Sequence, residues 1–266
     1  MKKAGWVAVG LLATLAFACG FWVMGCPAGA ACLSMRGAMV WSYPIAVTAF
    51  LLLIAAAIGW PARAIWLLQT SADDLTHLRR LPLPEPLVAA MSRTGAWRLE
   101  CIEGERALAF CAGALHPAVF VTPALIDRLG APELDAVLLH ERHHADHREP
   151  LRRAFVKAAT DVFFFIPLLS WWAERRLEES ELAADRAAIE LVGRRTVGRA
   201  LWHAAVQQPQ ALPAFGGSTE ARVAQLLGEP ALSRPPSLSL WFASVAGSIL
   251  VVSIAVCLAH VFIAIS

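Results

Sequence analysis

Five residues with reactive side chains, His140, Glu141, His143, His144 and His147, crowd one short stretch of the chain, and Glu181 and Asp185 follow further on. Side chains four apart on a helix share a face. His140 and His144 can therefore turn imidazole nitrogens toward a single metal ion, with Glu141 beside them to take a proton from water. His143 and His147 have the same spacing, but His144 follows His143 where a glutamate would be needed, so that register has no base. The register that supports hydrolysis is the HExxH sequence His140-Glu141-Arg142-His143-His144.

Two neutral imidazoles and one carboxylate hold zinc tetrahedrally, with the fourth position open to water. Glu181 is the expected third ligand, and Asp185, on the same helical face, the expected acceptor for the free ring N–H of a ligand histidine. The expected cofactor is one Zn2+ per chain. Glu174, Glu178, Glu179 and Glu190 lie nearby and suit a solvated face, whereas Glu181 and Asp185 are joined by Leu182-Ala183-Ala184. The only tyrosine is Tyr43, inside an apolar run, so no tyrosine serves the transition state. The donor must be zinc, a histidine such as His147 or His116, an arginine or the backbone. Of the histidines, His147 is the candidate transition-state donor; His116, before Pro117, reads as a loop residue.

These groups need elements to position them. Pro123 and Asp127 introduce a short helix that Gly130 stops; Pro132 and Glu133 then start the metal helix, which runs through about Arg148 with Leu134, Val137, Leu138 and Leu139 at helical spacing. Glu174 to Val192 forms the second helix of the site. Upstream, Ser71 to Arg80 and Leu87 to Arg93 read as helices. Trp97 to Ile102 and Arg106 to Cys111 alternate around Glu103-Gly104-Glu105 as a hairpin, and Ala118 to Val121 is a third strand. Downstream come a Pro-, Gly- and Ser-rich loop from Gln207 to Ser218, a short helix from Thr219 to Leu227 and a Pro-rich linker to Pro236.

The composition is that of a membrane protein, with 58% hydrophobic and 17% charged residues and a mean hydropathy of +0.56. Ala4 to Gly25, Gly37 to Ala62 and Ser237 to Ser266 carry no Asp, Glu, Lys or Arg, and each exceeds the roughly 20 residues a membrane span needs. The fold class expected is a mainly α membrane protein with about three transmembrane helices and an α+β zinc protease domain holding a small β-sheet. The domains are then 1–62 with two N-terminal spans, 63–236 with the catalytic residues, and 237–266 with the last span. An alternative for the first run is a cleaved leader, since Lys2 and Lys3 precede it and Ala16-Phe17-Ala18 resembles a cleavage site.

Arg63, Arg79, Arg80, Arg93 and Arg98 follow the second span while the loop between the first two spans holds only Arg36, which places the catalytic region in the cytoplasm. Cys26 and Cys32 then fall in the outer loop, where a disulfide is chemically allowed. The net charge of +2 gives no signal for nucleic acid. The apolar segment from Leu151 to Trp172 contains Lys157, Asp161 and Pro167. If Glu181 meets the metal held by His140 and His144, both flanks of that segment lie on one side of the membrane. The segment is therefore a core helix or a re-entrant one.

The run from His140 to Leu151, the Phe163-Phe164-Phe165-Ile166-Pro167-Leu168-Leu169 segment and Glu181 to Asp185 together resemble the BlaR/MecR-type membrane metallopeptidases. The similarity extends upstream through Gly113, Pro117 and Pro132-Glu133-Leu134 and downstream to Arg222-Val223-Ala224-Gln225-Leu226-Leu227. More distantly the chain resembles the HtpX-type membrane proteases, which share the gluzincin site. The resemblance implies a cytoplasm-facing zinc endopeptidase acting on a protein or peptide substrate, with His140, His144 and Glu181 as ligands and Glu141 as base. It also implies that the stretch near Gly113 to Val121 is the edge strand that holds an extended substrate. No extracellular beta-lactam-binding domain follows the last span, so this chain is not expected to sense the antibiotic itself. Repressor cleavage competes with quality-control proteolysis of membrane proteins as the role, and a non-proteolytic zinc-binding scaffold is the alternative from another class. The oligomeric state has no sequence signal.

Overall fold

The structure, a computed structural model, describes residues 35–96, 98–207, 216–229 and 235–265. The first apolar run, the leader alternative, Cys26 and Cys32 lie outside these residues. The described chain is mainly helical with one small mixed sheet. It divides into two compact units, one of Met1–Pro61, Thr160–Ser170 and Pro236–Ser266, the other of Ala62–Ala159 and Trp171–Pro235.

Helix α1 (Met35–Thr76) supplies, up to Pro61, the described N-terminal part of the first unit, and the closing helix of the chain, Leu238–Ile265, supplies its C-terminal part. Among the described residues, two stretches are long and apolar enough to cross a membrane, Phe50–Thr76 and Leu238–Leu258. The second expected span and the Ser71 to Arg80 helix are one continuous helix, which stops at Thr76.

The segment from Leu151 to Trp172 is not one helix. Pro167 has no N–H to give to a carbonyl one turn back, which weakens a helix running into it but suits a first turn, and a new helix starts there. The chain turns over residues 163–166, where the Ile166 N–H donates to the Phe163 carbonyl at 2.9 Å. Leu168, in the first turn of the new helix, donates its N–H at 3.0 Å to Ser244 Oγ, which itself donates to the Leu240 carbonyl at 2.8 Å. Gly247 lies one turn beyond Ser244, and a Cβ there would come within 2.1 Å of the Phe165 carbonyl oxygen. Only a glycine lets the closing helix approach that turn so closely.

In the second unit, strands β1 (Arg80–Leu81), β2 (Leu99–Ile102), β3 (Ala109–Ala112) and β4 (Ala118–Val121) form a sheet in the order β1-β2-β4-β3. The expected hairpin between the second and third strands does not form: β4 lies between them, parallel to β2 and antiparallel to β3. All four residues of β4 are buried, and a strand apolar on both faces belongs at the centre of a sheet. Thr122 keeps the intervening loop wide, accepting the Leu108 N–H at 2.9 Å and donating to the Arg106 carbonyl at 2.7 Å. Among the described residues the edge strands are therefore β1 and β3, and the Gly113 to Val121 stretch, which holds β4, is not an edge.

Helix α2 (Glu85–Thr94) and the short α3 (Pro123–Ile126) cover one face of this sheet. Leu87 and Ala90, Val119 and Val121, and Leu134 and Leu138 share one buried cluster there. Ile102, Ala118 and Phe120 point to the other face, where Leu75 and Leu78 pack on them.

Helix α4 (Ala131–Asp146) carries Leu134 and Leu138, with Pro132 in its first turn. Its Ala136 and Leu139 join a second cluster with Ala188, Val197 and Ala200. Ala188 belongs to α6 (Pro167–Val192), the helix that follows α5 (Glu149–Val162), while Val197 and Ala200 belong to α7 (Arg194–Gln207). The α7 helix has no counterpart in the sequence reading, because Arg194, Arg195, Gly198 and Arg199 mask a buried stripe of small residues. Helix α8 (Gly216–Leu227) begins at residues expected to be loop, and α9 is the closing helix Leu238–Ile265.

Candidate metal centre

One face of α4 packs on the sheet and leaves His140 and His144 on another, where the side chains of α6 meet them. Ligand atoms of His140, His144 and Glu181 all lie within 4.8 Å of one another, with both histidines buried. The two Nε2 atoms are 3.1 Å apart, His140 Nε2 is 3.3 Å from Glu181 Oε2, and His144 Nε2 is 3.6 Å from Glu181 Oε1. Asp185, fully buried one turn beyond Glu181, accepts the His140 Nδ1–H at 2.8 Å. That bond commits the neutral ring to presenting a lone pair at Nε2.

Such a lone pair opposite a carboxylate oxygen at 3.3 Å is repulsive unless a cation or proton lies between them. Zinc bonds of about 2.0–2.2 Å in a tetrahedron set neighbouring ligand atoms roughly 3.3–3.6 Å apart, close to the spacings seen. The residues therefore fit a metal ion. Electrostatics favour positive charge at the same point. Burial opposes a charge on His140, but hydrogen bonds to Asp185 and Glu181 outweigh it and push its pKa up to about 9. Burial, helped by the charge of His140, holds His144 down at about 3, so that ring is neutral.

Burial also penalises the charge on Glu181, yet hydrogen bonding to His140 and nearby positive charge keep its carboxyl well below the ordinary range. Two of the cations are arginines. Arg153 on α5 donates from Nη2 to Glu181 Oε1 at 2.7 Å. Arg222 on α8 donates from Nε and Nη2 to the two oxygens of Asp185 at 2.7 and 2.8 Å, and from Nη1 to Glu181 Oε2 at 3.4 Å. Neither role was assigned from the sequence. The signal was indirect: Glu141, Glu181 and Asp185 brought together in an apolar interior require compensating cations, but nothing in the spacing says which arginines supply them.

Glu141 follows His140 and accepts a hydrogen bond from the backbone of Cys111 in β3. Burial raises its pKa, and the negative charge of Glu181 adds to the effect. Arg142, the variable position of the motif, donates from Nη1 at 2.6 Å to the Thr94 carbonyl at the end of α2, and so fixes α4 against that helix. Arg93 and Asp135 tie the same two helices with paired hydrogen bonds of 2.7 and 2.8 Å.

His147 is not brought to the group. It is exposed, its Nδ1–H donates to the His143 carbonyl at 2.8 Å, and its ring stacks on His143 with centroids 4.0 Å apart. Arg148, with φ of +52°, then turns the chain so that α5 starts at Glu149. His116 is exposed in the turn between β3 and β4.

A cavity of about 380 Å³ opens at the centre, lined by Ala107 to Cys111 of the edge strand and its approach, by Val137 and the metal-site residues, and by Val197 and Leu201 of α7. The Cys111 thiol on this wall is pushed up to about 12, by burial first and then by Glu141. A raised thiol pKa leaves little thiolate at pH 8. Against the ordinary 9.0, iodoacetamide is expected to alkylate native Cys111 about a thousandfold more slowly at that pH, as read by mass spectrometry of the Cys111 peptide. Alkylation in the native protein as fast as in the unfolded chain would contradict this environment.

The family model described as BlaR1 peptidase M56 matches residues 38–225. No curated protein matches the chain.

Proposed function

This chain belongs to the BlaR1 peptidase M56 family, a family of membrane-associated metallopeptidases, and from that membership we propose that it is a membrane-embedded zinc endopeptidase cutting a cytoplasmic or membrane-proximal protein. The observation that carries the proposal is the convergence of His140, His144 and Glu181, with Glu141 on the cavity wall beside them. His140, His144 and Glu181 would hold zinc, with Asp185 orienting His140. When bound, zinc supplies a Lewis acid that acidifies water and polarises a carbonyl.

Glu141 takes a proton from the attacking water and returns it to the leaving nitrogen. Its hydrogen bond from Cys111 ties the base to β3, so the peptide bond being cut and the base share one reference. The free edge of β3 offers backbone donors and acceptors to an extended substrate, which supports strand addition as the binding mode. Strand addition reads backbone more than side chains, so the partner is a protein with an extended or locally unfolded segment.

Placement in the membrane follows the same chemistry. The chain is proposed to be multi-pass, with residues 1–62 and 237–266 in the bilayer and the catalytic residues of 63–236 facing the cytoplasm. Grouping of Thr160–Ser170 with the apolar helices in one unit supports a re-entrant segment there. A turn in hydrocarbon is tolerated only when its backbone groups find partners, and Ser244 supplies one for Leu168. The role is regulatory cleavage of a repressor or quality control of membrane proteins. Intact Glu141 favours both over a scaffold, which needs no base. Cells carrying wild type are expected to contain cleaved forms of one or a few proteins that are absent with Glu141→Gln, read by mapping new protein termini. Identical terminus maps in the two strains would reject proteolysis, a single cleaved repressor would select the regulatory role, and many cleaved membrane proteins would select quality control.

A further inference from the structure

A peptidase of this design must stabilise negative charge on the scissile carbonyl oxygen, and the obvious candidates are absent or occupied. The lone tyrosine, Tyr43, lies in α1, outside the catalytic unit. His147 faces away, and the Cys111 backbone already donates to Glu141. Arg222 uses Nε and both terminal nitrogens on Asp185 and Glu181.

Arg153 differs. A guanidinium has five N–H donors, and the hydrogen bond of Arg153 to the described residues uses only Nη2, on Glu181 Oε1. Its Nε is buried with no acceptor among the described residues, and its side chain, 39% exposed, lines the cavity with Glu141 and His144. The Glu181 oxygen it holds is the one 3.6 Å from His144 Nε2, so the guanidinium borders the triangle of ligand atoms. Its charge also acts on both Glu141 and His144.

We infer that Arg153 is the transition-state donor of the zinc peptidase site proposed above, its guanidinium donating to the oxyanion of the scissile carbonyl. As the water oxygen bonds to the carbonyl carbon, Glu141 receives the water proton and the carbonyl π pair moves onto oxygen. Arg153 meets that charge with an N–H and transfers no proton. The pair then reforms the carbonyl, the C–N bond breaks, and the proton on Glu141 passes to the leaving nitrogen, so one water is consumed and an acid and an amine are released. This role rests on the zinc peptidase reading, and the measurements below tell its failure apart from the failure of that reading.

The test uses the full chain in detergent, as wild type, Arg153→Gln and Arg153→Lys, with a quenched fluorescent peptide as substrate. Two inhibitors separate the roles: a phosphoramidate dipeptide, whose phosphoryl oxygens imitate the oxyanion, and a thiol dipeptide, which binds metal without imitating it. Arg153→Gln is expected to lower kcat about a hundredfold to a thousandfold with KM little changed. Phosphoramidate affinity should fall in the same proportion, while zinc content and thiol affinity hold. Arg153→Lys, which keeps a donor and the charge, should fall between wild type and Arg153→Gln. Unchanged kcat in Arg153→Gln, or parallel loss of zinc and thiol affinity in both variants, would overturn the assignment, the latter making Arg153 a positioning residue for Glu181. Wild type that holds no zinc and cuts no peptide would instead overturn the reading on which the assignment rests.

Discussion

Glu141→Gln is expected to leave the protein folded and loaded with about one zinc per chain, while peptide cleavage falls by about a hundredfold to ten-thousandfold. The substitution is nearly isosteric, and the amide oxygen of glutamine can still accept the Cys111 N–H that holds the carboxylate in place. What it cannot do is take a proton from water. His140, His144 and Glu181 do not depend on Glu141 for their mutual spacing. Metal content by elemental analysis and kcat on a quenched peptide should therefore separate cleanly. Equal cleavage by wild type and variant would sink the proposed base.

Glu181→Gln is expected to do the opposite and strip the metal. The loss is more than one ligand charge, because Glu181 also accepts from Arg153 and Arg222, and a neutral amide would leave two guanidinium groups facing the metal position without their shared counter-charge. Asp185→Asn should be milder, at about 10- to 100-fold in affinity, since asparagine keeps an oxygen for His140 Nδ1–H but releases Arg222. Competition for zinc against a chelating dye gives the order. A greater loss in Asp185→Asn than in Glu181→Gln would mean that the ligand and its supporting residue had been assigned the wrong way round.

The candidate metal centre was legible because its parts obey local rules. The i,i+4 spacing within α4 and again within α6 is a property of one helix, and Pro132 and Glu133 mark where the first begins. The boundaries of α2 and β4 were close for the same reason. What escaped was decided between elements distant in the chain. Nothing local in Ala118–Val121 says that it will insert between β2 and β3, since that choice rests on burying all four residues at once. Arg153 and Arg222 come from α5 and α8, and their selection depends on which carboxylates lie near them in space. The turn before Pro167 was signalled by that proline, but the apolar residues around it gave the segment the look of one continuous helix.

The bond from Leu168 to Ser244, and the close approach that Gly247 permits, bear on how this enzyme could be prepared for study. Deleting α9 to obtain a water-soluble fragment would remove more than a tether. It would take away the acceptor of an amide in the opening turn of α6, the same helix that carries Glu181 and Asp185. A shortened form without α9 leaves the Leu168 N–H without that acceptor unless it supplies its own cap there, whereas the whole chain in detergent keeps it.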